Sequence, residues 1–110
     1  MVDINSYEQH FLFIKGEIEK ALQKIPLNKT PNYLYDPIQY VINGKGKRLR
    51  PILVHLVGQA YSANPADLMK LGIAVELLHN FTLVHDDIMD GDDRRHGQKS
   101  VHNKWDDSTA

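Results

Sequence analysis

The sequence predicts an all-α chain. Apolar residues recur at helical steps of three and four in several stretches, and proline, glycine or asparagine stands where helices start or stop. Neither an alternating strand pattern nor an internal repeat is visible. From Ser6 to Ile25 the residues Tyr7, Phe11, Ile14, Ile18, Ala21 and Ile25 line one helix face, with Ser6 and Gln9 spaced for a capping box and Pro26 as the stop. A shorter second helix is predicted to open with Asp36 as N-cap and Pro37 in the first helical position, and to close at Asn43-Gly44. After the loop GKGKR, Pro51 leads an apolar segment to Tyr61. Its β-branched residues suit a buried strand, but proline in a first turn and the length favour a helix. Asn64 and Pro65 begin the longest element, a rod of about 37 Å at 1.5 Å per residue, on which Leu68, Leu71, Val75, Leu78, Thr82 and Met89 mark an apolar stripe. Gly91 suits its end, DDRRHGQK reads as a loop, and Ser100 is placed to cap a further helix.

With 110 residues the chain fits one domain at most, and 42% hydrophobic against 25% charged residues is a globular balance. A net charge of −1 excludes the broad basic field of a nonspecific nucleic-acid binder. The lack of cysteine removes disulfides, thiolate metal sites and a cysteine nucleophile, and fits a reducing compartment. The N-terminus lacks a secretion-signal pattern and no apolar run is long enough to span a bilayer. A soluble, cytoplasmic chain is expected.

The stretch LVHDDIMDGDDRR, residues 83 to 95, holds five aspartates from Asp86 to Asp93. A helix C-terminus is already negative, so acids gathered there cost folding free energy and suggest a compensating cation. Asp86, Asp87 and Asp90 stand at i, i+1 and i+4, which sets Asp86 and Asp90 on one face, one turn apart. Mg²⁺ takes one or two such carboxylates and completes its shell with phosphate oxygens or water. A solvated acidic helix end is the alternative.

In GKGKRLRP, residues 44 to 51, the cations Lys45, Lys47, Arg48 and Arg50 lie on a loop leading into a helix start, where backbone N–H groups and guanidinium forks suit phosphate. The order of a Walker A loop is missing, and an ordinary basic surface loop would read the same way. His79 lies two turns before Asp86 on nearly the same face and can donate to an anion there, although a lone helical histidine is more often structural. Arg94, Arg95 and His96 fit either a surface ion-pair cluster or a clamp on a metal-bound phosphate. His55, His85 and His102 carry no comparable argument. Acids for Mg²⁺ and two basic groups together imply two anionic ligands.

These motifs, in this order, resemble the trans-isoprenyl diphosphate synthase family, which includes farnesyl and geranylgeranyl diphosphate synthases. GKGKRLRP is similar to that family's GGKRxRP loop, VELLHNFTLVHDDIMD to the helix with its first aspartate-rich motif, and RRHGQKSVHNKW to its RRGxPTVHxKW continuation. The likeness runs from about residue 40 to the end. It implies the antiparallel helix bundle of the isoprenoid synthases and a head-to-tail prenyl transfer with Mg²⁺. An allylic diphosphate (dimethylallyl, geranyl or farnesyl), held through the metal by Asp86 and Asp90 with Asp87 in support and Arg95 on the same diphosphate, ionises. Isopentenyl diphosphate, held at Lys47, Arg50 and His79, attacks the cation, and proton loss gives the longer product. Phe81, five residues before Asp86, and the small Thr82 beside it imply a product of C15 to C20, with the phrase HNFTLVHDDIMD nearest to archaeal-type geranylgeranyl synthases.

Two departures from the family pattern stand out. His96 occupies the place of the second arginine, which implies isopentenyl diphosphate binding there that is weaker or dependent on protonation, unless Arg94 and Arg95 shift into register with the family's arginine pair. The chain also stops short of a second aspartate-rich motif, so residues 1–110 are expected to be the N-terminal part of one synthase domain, inactive alone and homodimeric when whole. A terpene cyclase-like enzyme shares the DDxxD logic but needs one diphosphate, which the basic loop argues against. A noncatalytic helical partner subunit would not need the charged site.

Overall fold

The computed structural model describes residues 4–110. Helices α1 (Ile4–Gln23), α2 (Asn32–Ile42), α3 (Leu49–Ala60) and α4 (Pro65–Asp90) are followed by strands β1 (Arg94–Arg95) and β2 (Gln98–Lys99) and by the single turn α5 (Val101–Lys104). They group into two compact units, Met1–Lys24 with Lys47–Glu76, and Ile25–Gly46 with Leu77–Ala110. No helix among the described residues is long and apolar enough to cross a membrane.

The first unit packs α1, α3 and the first half of α4. Its core is Ile14, Ile18 and Leu22 of α1, Pro51, Ile52 and His55 of α3, and Leu68 of α4. The buried series on α1 therefore runs at steps of four. Tyr7, assigned to the core face by its spacing, is exposed. The helices run antiparallel, with Arg48 against Glu19 at one end and His10 bonded to Gln59 at the other (3.0 Å), so Tyr7 lies beyond the last turn of the shorter α3. The capping box fails because the helix already includes Ile4, which leaves Ser6 and Gln9 inside it; residues before Ile4 lie outside those described. Gly58 lets α3 meet α4, since a β-carbon there would stand 2.1 Å from Leu68 Cδ2. Asn64 and Pro65 start α4 as expected: Asn64 Oδ1 accepts from the amides of Ala66 (2.8 Å) and Asp67 (3.4 Å).

The second unit packs α2, the C-terminal half of α4, the hairpin and α5. Helix α2 begins at Asn32, upstream of the predicted cap at Asp36, because the amides of Leu34 and Tyr35 bond to the Pro31 carbonyl (3.2 Å each). Pro37 thus lies inside the helix, where its missing N–H costs a hydrogen bond but its buried ring joins the packing. The helix end at Ile42, capped by Asn43, agrees with prediction.

The face assigned to α4 is the larger correction. Leu71, Leu78 and Met89 of the apolar stripe are 54%, 64% and 74% exposed, and Thr82 is exposed too. The buried line is Leu68, Gly72, Glu76, Asn80 and Asp87. Glu76 and Asp87 enter because Arg48 and Arg95 pair with them there, while Leu71, Leu78 and Met89 of the stripe are left outward, as large uncovered faces of interaction surfaces are.

Candidate active site

The acidic helix end is built by a C-terminal cap. Gly91, with φ +67°, closes α4 so that its amide bonds to the Ile88 carbonyl (3.3 Å) and that of Asp92 to the Asp87 carbonyl (3.0 Å). This is the paired-bond glycine cap expected where a helix must stop sharply. The chain then reverses through a hairpin absent from the sequence prediction, in which Arg94 pairs with Lys99 and Arg95 with Gln98. Its two turn residues, His96 (φ +51°) and Gly97 (φ +80°), both adopt the left-handed conformation that a tight two-residue hairpin turn requires. Two residues per strand are too few for alternation to show.

The hairpin is anchored on both sides. Ser100 Oγ donates to the Asp92 carbonyl (2.7 Å), Asn103 Nδ2 to the Asp93 carbonyl (3.1 Å), and Tyr40 Oη to the Lys99 carbonyl (2.6 Å). Ser100 is the N-cap residue of α5 as predicted, although its hydroxyl serves the hairpin instead of the helix amides. Tyr40 also meets Trp105 edge to face at 5.2 Å, and Lys104 Nζ stands 4.1 Å from its ring centre. Tyr40 was not found in the sequence, since its partners are some sixty residues away.

This frame returns Arg95 to α4. Its Nε donates to Asp87 Oδ2 (3.2 Å) and its Nη2 to Asp87 Oδ1, a bidentate pair with the carboxylate buried. The bond to Asp87 holds the Arg95 guanidinium above its ordinary pKa, against some desolvation and with help from the charges of Asp87, Asp92 and Asp86. Asp86 and Asp90 are exposed on the last turn. The three aspartates thus divide: Asp87 is neutralised within the protein, while Asp86 and Asp90 face outward.

Among the described residues no three His, Asp or Glu side chains converge on a metal position. A protein-only cage is therefore not built. The donor set does fit Mg²⁺, which accepts one or two carboxylates when phosphate oxygens supply the rest.

Phe81 lines a groove of about 310 Å³ whose other walls include Leu34, Pro37, Ile38 and Val41 of α2. Its ring lies 4.3 Å from that of His85, whose Nδ1 donates to the Phe81 carbonyl (2.9 Å). Thr82 is not in that wall; its hydroxyl donates to the His79 carbonyl (2.6 Å). His79 is half-buried and His96 is exposed at the hairpin tip.

Lys47 and Arg50 belong to the first unit, where both are exposed. Between them Arg48 is buried, with φ +57°, at the N-cap of α3. For a residue with a β-carbon this backbone costs roughly 1–2 kcal/mol. Its Nε donates to Glu19 Oε1 (2.7 Å) and its Nη1 to Glu76 Oε1 (2.8 Å). Burial lowers the Arg48 pKa, but the hydrogen bonds and charges of Glu19 and Glu76 outweigh it and leave it raised. Sequence reasoning counted Arg48 among the loop cations and missed both glutamates. The available signal was Glu76 in register with Leu68 and Gly72 at steps of four.

Helices, a basic loop at a helix start and an aspartate-rich helix end define an all-α chain with charged side chains gathered at helix termini. The sequence profile described as Polyprenyl synthetase matches residues 31–110, and the chain belongs to that family. A geranylgeranyl diphosphate synthase of Methanosarcina mazei is 41% identical over 95 residues, covering 86% of this chain and 29% of that protein. A farnesyl diphosphate synthase of Micrococcus luteus is 39% identical over 107 residues, covering 93% and 37%. The apo crystal structure of an FPP/GFPP synthase from Zymomonas mobilis is similar with a TM-score of 0.83 at 30% identity, over 93% of this chain and 38% of that one. The chain thus spans 29% and 37% of the two curated relatives' lengths.

Proposed function

We propose that this chain supplies part of the site of a short-chain trans-prenyltransferase that joins isopentenyl diphosphate to an allylic diphosphate. The observation that carries the reading is the division of the aspartates, with Asp87 committed to Arg95 while Asp86 and Asp90 stay exposed one turn apart. Asp86 and Asp90 would hold Mg²⁺ that also binds the allylic diphosphate; Asp87 orients Arg95 toward the same group. Bound there, Mg²⁺ supplies charge neutralisation on the departing pyrophosphate. Lys47 and Arg50 bind the diphosphate of isopentenyl diphosphate. Apolar side chains of the groove beside Phe81 shield the reacting carbons and the growing chain from water, and Phe81 limits the product to C15 to C20. The reading extends to a cytoplasmic, homodimeric whole synthase, with the outward stripe of α4 covered by helices of that whole.

Calorimetry of the whole synthase with an allylic diphosphate tests it. Substituting Asp86→Asn and Asp90→Asn together should abolish the magnesium-dependent part of binding, and equal affinity with and without magnesium in both proteins would refute the reading. The 110-residue chain alone should give no turnover of isopentenyl plus dimethylallyl or farnesyl diphosphate, measured by product chromatography.

A further inference from the structure

The cationic loop has an unequal set of side chains. Lys47 and Arg50 are exposed, whereas Arg48 between them is 2% exposed and cannot meet a ligand in solvent. Its guanidinium ties together three elements of one compact unit, bonding to Glu19 on α1 and Glu76 on α4 while its own backbone starts α3. Its carbonyl accepts from the Ile52 amide (3.2 Å), so the residue joins the first turn of α3 to the loop. The side chain makes no capping bond, although the N-cap position invites one. A left-handed backbone at a residue with a β-carbon persists only where its surroundings hold it, and here the two carboxylates do so.

We propose that Arg48 is the positioning residue of this loop: held by Glu76 and Glu19, it fixes the turn from which Lys47 and Arg50 present their charges to a diphosphate it does not itself touch. The inference rests on the reading of Lys47 and Arg50 as diphosphate ligands. An arginine suits the task where lysine does not, because its planar fork reaches two carboxylates along separate N–H directions. The distribution of burial points the same way. Glu76 is itself buried, so the anchor cannot drift, whereas Glu19 is partly open and supports it from the side.

The test is steady-state kinetics of the whole synthase with both substrates varied. Removing Arg48 alone strands a buried glutamate, so the main variant is Arg48→Met with Glu76→Leu, which replaces the pair by apolar groups of similar size. It should fold and raise KM for isopentenyl diphosphate about tenfold or more, as misplacing a binding group does, while kcat and the allylic KM change little. Arg48→Lys should recover only part of that loss. An unchanged isopentenyl KM in a folded double variant, or an equal rise in both KM values, overturns the proposal. Where the double variant does not fold, Glu19→Ala decides, since it removes one arm and leaves Arg48 paired with Glu76. A severalfold rise confined to isopentenyl diphosphate supports the proposal, and no rise overturns it. Arg50→Gln separates the two readings. If it leaves the isopentenyl KM unchanged, the ligand reading falls and the positioning role with it; if it raises KM where the Arg48 variants do not, the positioning role alone is wrong.

Discussion

Arg48 in one compact unit and Arg95 in the other are each committed to a buried carboxylate, and the two are built differently. Arg48 has a side chain 1% exposed and joins Glu19 and Glu76, which lie 29 and 28 residues away on separate helices. Arg95 has a side chain 34% exposed and meets Asp87, eight residues earlier across a glycine cap. The first is tertiary, and its Arg48 and Glu76 are closed to solvent. The second is local and leaves the arginine reachable. The same charge-assisted bond thus serves as an anchor in one place and as an orienting contact in the other, and the difference lies in how much of the guanidinium water can reach.

Urea unfolding can break this comparison. Arg48→Leu should cost the most, about 3–5 kcal/mol, because it leaves Glu76 charged and buried without its partner. Arg95→Leu should cost less, about 1.5–3 kcal/mol, because Asp87 is also buried but lies under a part-exposed arginine whose removal opens it to water. Equal losses in the two variants would show that the difference in exposure has no energetic meaning. Gly58→Ala, in the same unit as Arg48, should cost about 1–3 kcal/mol by forcing buried Leu68 aside, and it separates packing strain from the loss of charge pairing. The smallest effect should have the opposite sign: Asp86→Asn with Asp90→Asn should raise the stability of the ligand-free protein by about 0.3–1 kcal/mol, since both charges oppose the helix dipole. A loss of stability there would show that these carboxylates support the fold, contrary to the division drawn from Asp87.

Much of the frame is legible along the chain because local rules govern it. Asn64 caps and Pro65 starts α4, Gly91 ends it, and the apolar segment after Pro51 is a helix, each through bonds among residues a few positions apart. The proline rule misled at Pro37, where the first turn formed upstream on the Pro31 carbonyl. The face of α4 was misread for another reason. Hydrophobic spacing identifies an apolar stripe but not the surface that covers it, and here Glu76, Asn80 and Asp87 turned inward while Leu71, Leu78 and Met89 turned out. The aspartates and the basic loop were recognisable from residue type and order, whereas the separate role of Asp87 depended on a hairpin too short to leave a periodic signal.

The sequence by itself determined where the longest helix begins and ends, that acids gather at its close, and that a cationic loop opens another, because caps, glycine stops and charge placement act within a turn or two. Only the tertiary structure decided which of those charges are buried and which exposed. That choice is made by desolvation and by partners brought from distant segments, and Arg48 is buried against Glu76, with Glu19 beside it, for reasons no window of a few residues contains.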